Sequence, residues 1–263
     1  MSSAEALAQA LVDHAIAPDV AAGWAVRSGG RWVIGAGKAS ASAFRGDPIF
    51  DLASLTKPMT ALAFTRSTLN RERLLGEVLI EARETASAEV PLELFLAHRA
   101  GLEAHLPLFE PLIGGRTVDR SAALRSAASA RRPEVVGMLP VDGAPPIYSD
   151  LGFLLVGEAL ARAERAEDAG EVIEEHIARV LGRDDLGTAR RLVSAPIDFA
   201  ERVRPTEVVA WRGGEVRGLV HDENAWALTG HGGSAVSYTH LWSRTICASA
   251  SCRRCFLRRR RVA

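Results

Sequence analysis

The 263-residue chain predicts a mixed α/β (α+β) protein on three observations. A strand hairpin lies near the start, the middle is mainly helical, and the chain then returns to loops with short extended pieces. At 48% hydrophobic and 24% charged residues the composition is that of an ordinary globular chain, long enough for one large domain or two small ones.

Each element follows in order. "MSSAEALAQALVDHAIA" reads as an amphipathic helix. It lacks the basic start and apolar stretch of a secretion signal, so a cytoplasmic location is expected. Two β-rich runs, around Trp24–Val26 and Trp32–Ile34, flank Ser28-Gly29-Gly30, which is a hairpin signal. "DPIFDLASLTKPM" is a short turn entering a helix, with Pro58 in the first turn where a missing N–H is harmless. Met59, Leu62, Ala63 and Leu69 have the spacing to face a core. "LELFLAHRAGL" predicts a short helix ended by Gly101. A Pro-rich loop then carries Tyr148-Ser149-Asp150 into a strongly apolar helix, and "AGEVIEEHIARVLGRDDLG" predicts one further amphipathic helix with a glycine stop. The hairpin needs more strands for stability, and few appear before the chain ends.

Charge and cysteine usage exclude several classes. The formal net charge is zero, which gives no overall bias toward nucleic acid or an anionic membrane. No run of 18 apolar residues occurs, so no membrane partner is expected. Cysteine is absent through Ile246, so the body of the chain needs neither disulfides nor thiolate-bound metal. From Ser237 the composition changes abruptly: seven arginines, all three cysteines (Cys247, Cys252, Cys255) and no acidic residue. A basic nucleic-acid-binding arm is one reading of residues 237–263. The preferred one is an atypical tail that does not belong to the frame of the preceding 236 residues. Cys252-x-x-Cys255 has no second pair and makes a weak zinc signal.

The chemistry gathers around few residues. Lysine occurs only at Lys38 and Lys57, whereas arginine supplies 30 of the 32 basic residues. Ser54 and Lys57, three apart at a helix start, lie on one face within mutual reach. A serine hydroxyl needs a nearby base to act as a nucleophile, and a lysine of depressed pKa can serve. Free N–H groups at a helix start favour developing negative charge. A capping serine followed by a surface lysine fits the same four residues. Tyr148 is the only tyrosine before the tail, and its phenol can shuttle a proton between serine, lysine and leaving group. A tyrosine closing the core with its OH at the surface is the plainer alternative. His221-Asp222-Glu223 with His231 makes a weak metal signal, because neighbouring positions rarely converge on one ion. His98 and His105 read as structural or solvent-facing, and Trp24, Trp32, Trp211 and Trp226 as core or rim.

Four segments in order resemble one superfamily, the serine β-lactamases and penicillin-binding-protein-like proteins, in the class C-like group of hydrolases and esterases. "FDLASLTKPMTA" is similar to its S-x-x-K segment and "YSDLGFLLVGEAL" to its Y-x-N motif in Y-S-D form. "LELFLAHRAGLEAH" is similar to the "LLTHTSGL" region, and "VHDENAWAL" to the later "VHDENA" loop. The resemblance spans about Val20 to Ser234. It implies a β-lactamase/transpeptidase-like fold: an antiparallel sheet flanked by helices, plus a mainly helical subdomain. It implies Ser54 as the acylated nucleophile, Lys57 and Tyr148 as the base system, and Asp150 in the asparagine place as a supporting residue. A carboxylate there would hold Lys57 protonated and make Tyr148 the base. The implied reaction is acyl-enzyme formation on an ester, amide or lactam with no metal or organic cofactor, and a small ester or peptide-like substrate is favoured over an antibiotic. "GHGGSA" at 230–235 resembles the family's "GHAGLFSTA" segment, not its third motif, Lys-Thr-Gly or His-Thr-Gly. The third motif, with its oxyanion N–H, and the strands that complete the sheet are therefore expected to be missing. Loss of one such donor costs about 10²–10³ in rate. The alternative is a catalytically impaired binding protein on the same fold.

Overall fold

The computed structural model describes residues 3–41, 48–135, 137, 143–194, 198, 202–228 and 242–243. The expectations for "GHGGSA" lie outside these residues, as do those for the tail apart from Trp242 and Ser243. The chain divides into two compact units, one of residues 1–50, 198–204 and 243–263, the other of residues 51–197 and 205–242.

In the first unit, helix α1 (Ser3–Asp13) precedes the antiparallel strands β1 (Asp19–Ser28) and β2 (Arg31–Ser40). Gly29 and Gly30 join them, both at positive φ (55° and 77°), which two-residue hairpin turns demand. The register pairs Val26 with Val33 and Ala22 with Gly37. α1 crosses at Gly37, where a Cβ would stand 2.3 Å from the Glu5 nitrogen. The Trp24 indole N–H donates to Ser3 Oγ at 2.9 Å. Ile49 exchanges backbone hydrogen bonds with Arg202 and Arg204, and Arg204 pairs with Asp19 at 3.0 Å. β1 and β2 form a two-stranded sheet; the sheet of this fold is incomplete.

The second unit is mainly helical and carries its own core. Its principal helices are α2 (Thr56–Arg66), α3 (Leu92–Leu96), α4 (Arg120–Ser129), α5 (Asp150–Glu164), α6 (Ala169–Ile173) and α7 (Glu223–Leu228). α5 is the axis. Every residue from Leu151 to Ala161 is buried, as a helix apolar all round requires. α2, α3, α4 and α6 pack on it. Leu151, Leu154 and Leu155 meet Phe95, Leu92, Leu124 and Leu79 in one cluster, while Leu160 joins Leu52, Ala63 and Ile173 in another. Burial of each leucine contributes about 1.5–3 kcal/mol.

One acid in α5 is equally buried. Glu158 accepts from Arg120 at 2.6 Å and from Arg162 at 2.7 Å, and Arg162 also grips Glu81 through two bonds of 2.8 Å. Both carboxylates are thereby paired, the condition for a buried charge. Two short strands, β3 (Val208–Val209) and β4 (Gly214–Glu215), form a small hairpin ahead of α7. Among the described residues no helix is long and apolar enough to cross a membrane.

Three local expectations need correction. Leu62 is half exposed, because the inward stripe of α2 runs through Thr56, Thr60, Ala63 and Phe64 and Leu62 falls beside it. α3 stops at Leu96, five residues before Gly101, because His98 already leaves the helix at φ 57°. The helix after Asp168 passes into a wider π-helical turn at Glu174–Ala178, which brings the sequence neighbours Ile177 and Ala178 together onto the buried side.

Candidate active site

The nucleophile candidate stands on a bent entry to α2. Ala53–Leu55 forms one 3₁₀ turn that runs directly into α2. Ala53 adopts φ 45°, a left-handed conformation that disfavours a side chain and stores about 1–3 kcal/mol of strain. Asp51 holds it there: Oδ1 accepts from the Ala53 N–H at 2.8 Å, and Oδ2 accepts from the His221 N–H at 3.1 Å. The turn leaves Ser54 exposed and swings Lys57, 5% exposed, inward.

The four residues singled out from sequence come together. Tyr148 OH donates to Ser54 Oγ at 2.7 Å, and Lys57 Nζ donates to the same oxygen at 3.1 Å. Lys57 Nζ also lies 2.6 Å from Asp150 Oδ1 and 4.9 Å from the centre of the Tyr148 ring. Burial works against the lysine charge. The hydrogen bonds to Asp150 and Tyr148 outweigh it, so Lys57 titrates above the usual lysine range. The lysine is an ammonium at neutral pH, which differs from the free-amine route in which a depressed pKa makes lysine the base.

The Tyr148 loop is tied to the turn after α3. Ile147 N–H donates to the His98 carbonyl, and Ser149 N–H donates to His98 Nδ1 at 3.1 Å. Ser149 Oγ donates to the Glu103 carbonyl at 2.7 Å, and Asp150 N–H donates to the Ala104 carbonyl. The His98 ring lies against Tyr148, tilted by 31° with centroids 4.6 Å apart, and approaches Phe153 at 5.2 Å. Burial and the Lys57 charge both push the imidazole below its usual range, so it stays neutral and Nδ1 remains an acceptor. A cavity of about 550 Å³ opens on this site, with Ser54, Lys57 and Tyr148 beside an apolar wall of Leu55, Leu96 and Phe153.

The segment "VHDENA" has structural duties. Asp222 accepts from the Ala225 N–H and caps α7, and Glu223 accepts from the Trp211 indole at 2.9 Å. Asn224 donates to the Leu106 carbonyl at 2.7 Å, and His221 pairs with Glu207. These side chains therefore point to separate partners. Trp211 stacks on Phe109 and meets Trp226 edge-on, and Arg212 lies over Trp226, which places these two tryptophans at a packed rim. Trp32 is exposed, as is His105.

The sequence profile of the Beta-lactamase family matches residues 5–246. The chain belongs to the beta-lactamase family. Three solved structures show the corresponding fold. A class C beta-lactamase from Rhodobacter sphaeroides aligns with a TM-score of 0.56 at 18% identity, covering 92% of this chain and 62% of that one. A D-amino acid amidase from Ochrobactrum anthropi SV3, solved with D-phenylalanine, aligns at 0.56 and 19% identity, covering 90% and 66%. An octameric penicillin-binding protein homologue from Pyrococcus abyssi aligns at 0.56 and 18% identity, covering 92% and 54%. The chain spans about three-fifths of the length of the solved structures it matches. No match was found among curated proteins.

Within this beta-lactamase-family chain, sequence reasoning missed Asp51 and underrated His98. Asp51 had a signal: an aspartate two residues ahead of the residue whose N–H it accepts is the pattern of an Asx turn. His98 had none, because its left-handed backbone and its bond to Ser149 arise only when two distant loops meet.

Proposed function

We propose that this protein is a serine hydrolase that acts through an acyl-enzyme on Ser54. The observation that carries the reading is the position of Ser54 Oγ, exposed at the cavity and within hydrogen-bond reach of both Tyr148 OH and Lys57 Nζ. Tyr148 takes the Ser54 proton as Oγ forms a bond to the substrate carbonyl carbon. The Lys57 ammonium, fixed by Asp150, steadies the phenolate form of the tyrosine. The tyrosine then returns the proton to the departing oxygen or nitrogen as the acyl–leaving-group bond breaks. Water enters by the reverse route: it gives its proton to Tyr148 as its oxygen bonds the acyl carbon, the acyl–Oγ bond breaks, and Tyr148 returns the proton to Ser54 Oγ as the acid leaves. The Ser54 backbone N–H is one oxyanion donor for these steps.

The substrate is an ester, amide or lactam, with a small ester or peptide-like compound preferred. The wall of Leu55, Leu96 and Phe153 favours a neutral, apolar acyl portion. The amidase and the class C beta-lactamase named above support an amide or lactam bond by likeness of fold.

Intact-mass analysis after a serine-directed fluorophosphonate probe tests this reading. One adduct is expected on the parent chain and none on Ser54→Ala. A chain that circular dichroism shows to be folded and that gains no adduct would contradict it and favour a binding protein on the same fold.

A further inference from the structure

The aspartate at the head of the nucleophile turn uses both oxygens on backbone N–H groups that are 168 residues apart in sequence. One bond reaches Ala53, the strained residue immediately before Ser54. The other reaches His221, at the start of the segment that leads into α7. The backbone adds its own clasps, Leu55 N–H to the Leu52 carbonyl at 2.9 Å and Thr56 N–H to the Ala53 carbonyl. A left-handed alanine persists only where its surroundings over-determine it, and here the carboxylate supplies the determining bond from the side chain.

We propose that Asp51 is a positioning residue: its carboxylate fastens the Ser54 turn to the His221 loop and thereby sets where Ser54 Oγ sits against Tyr148 and Lys57. This assignment rests on the reading of Ser54 as the nucleophile. Asp51 touches none of the reacting atoms and acts through Ala53.

The groups that face it are few. His221 and Asp222 come from the loop it binds. Arg212 donates to the carbonyls of Val220 and His221, and His221 is paired with Glu207. Burial outweighs the two N–H bonds and the positive partners and pushes the Asp51 carboxyl up to about 6. Protonation relieves a buried charge and converts one acceptor oxygen into a hydroxyl, so one of the two backbone clasps is lost. The turn is therefore held by both oxygens above this value and by one below it.

The test uses the full chain, the fluorophosphonate probe and four proteins: parent, Ser54→Ala, Asp51→Asn and Asp222→Asn. An amide at position 51 can accept from Ala53 but turns a donor toward the His221 N–H. The second-order labelling rate of Asp51→Asn is expected to fall by about 100-fold, the loss that follows from misplacing a reacting group by about an ångström. Its rate should also lose the inflection near pH 6 that the parent and Asp222→Asn retain. A parent-like rate and inflection in Asp51→Asn would overturn the assignment, and so would an inflection that vanishes only in Asp222→Asn.

Hydrogen exchange of the parent, corrected for intrinsic pH dependence, gives a readout independent of labelling. At least one of the Ala53 and His221 amides should lose protection as pH falls from 7.5 to 5. Unchanged protection at both would overturn the assignment. If the folded parent gains no adduct, the catalytic reading fails, and this exchange measurement still decides whether Asp51 fastens the turn. It also decides the matter if Asp51→Asn does not fold.

Discussion

Asp150 gives the lysine at this site its charge. An ammonium 5% exposed would ordinarily shed its proton more easily than in water, yet a carboxylate at 2.6 Å reverses that tendency. Asparagine at position 150 would leave Lys57 with burial and a weaker polar partner. Its pKa is then expected to fall, so the alkaline limb of the probe-labelling profile should move to lower pH in Asp150→Asn. A limb that stays in place would show that the lysine charge is set elsewhere. The identities of Ser54, Lys57, Tyr148 and Asp150 were legible because such residues are rare here or stand in ordered motifs: one tyrosine before the tail, two lysines, one Y-S-D. Asp51 and His98 carry no such mark. Their contributions lie in bonds to backbone groups, and a residue-type pattern does not record which amide a side chain will meet.

At the scale of elements, the hairpin and α5 were readable for opposite reasons. Gly29-Gly30 announces a turn that few other residue pairs allow, and the run from Leu151 to Ala161 is too apolar to lie at a surface. The end of α3 was not readable, because the glycine that looked like its stop serves a later turn, at φ 74°. The buried pair Glu81 and Glu158 was equally silent: their partners Arg120 and Arg162 are two among thirty arginines. Removing the shared partner exposes what it does. Arg162→Leu leaves Glu81 without its two-pronged bond and takes one guanidinium partner from Glu158, and should destabilise the chain by about 3 kcal/mol or more. A urea midpoint unchanged from the parent would refute that estimate.

For the whole molecule, the balance of carboxyl groups sets how stability varies with acidity. Burial raises Asp51 and Asp168 to about 6. Each binds its proton more readily folded than unfolded, so each lowers stability as pH rises from about 4 to about 6. Bonds to Arg73, Arg162 and Thr68 hold Glu77, Glu81 and Glu164, respectively, below the usual range; their contribution is present above about pH 4.5 and is lost as pH falls further. The two trends oppose each other on either side of pH 5. Thermal melts across pH 4–8 are therefore expected to peak near pH 5, decline to about pH 6 and level off above it. A midpoint that climbs steadily from 5 to 7 would show that other groups dominate.

The helix that begins with Asp150 is also the one walled in on every side. A surface loop that carries a catalytic charge can wander through sequence space with little consequence for the rest of its protein. Here the lysine's counter-ion sits on the first turn of a helix buried from Leu151 to Ala161, so a substitution that rotates or shifts that helix disturbs packing and the Lys57–Asp150 pair at once. On the proposed reading, substitutions at the cavity rim, at positions such as Leu55 and Leu96, would change what the cavity admits without touching that helix.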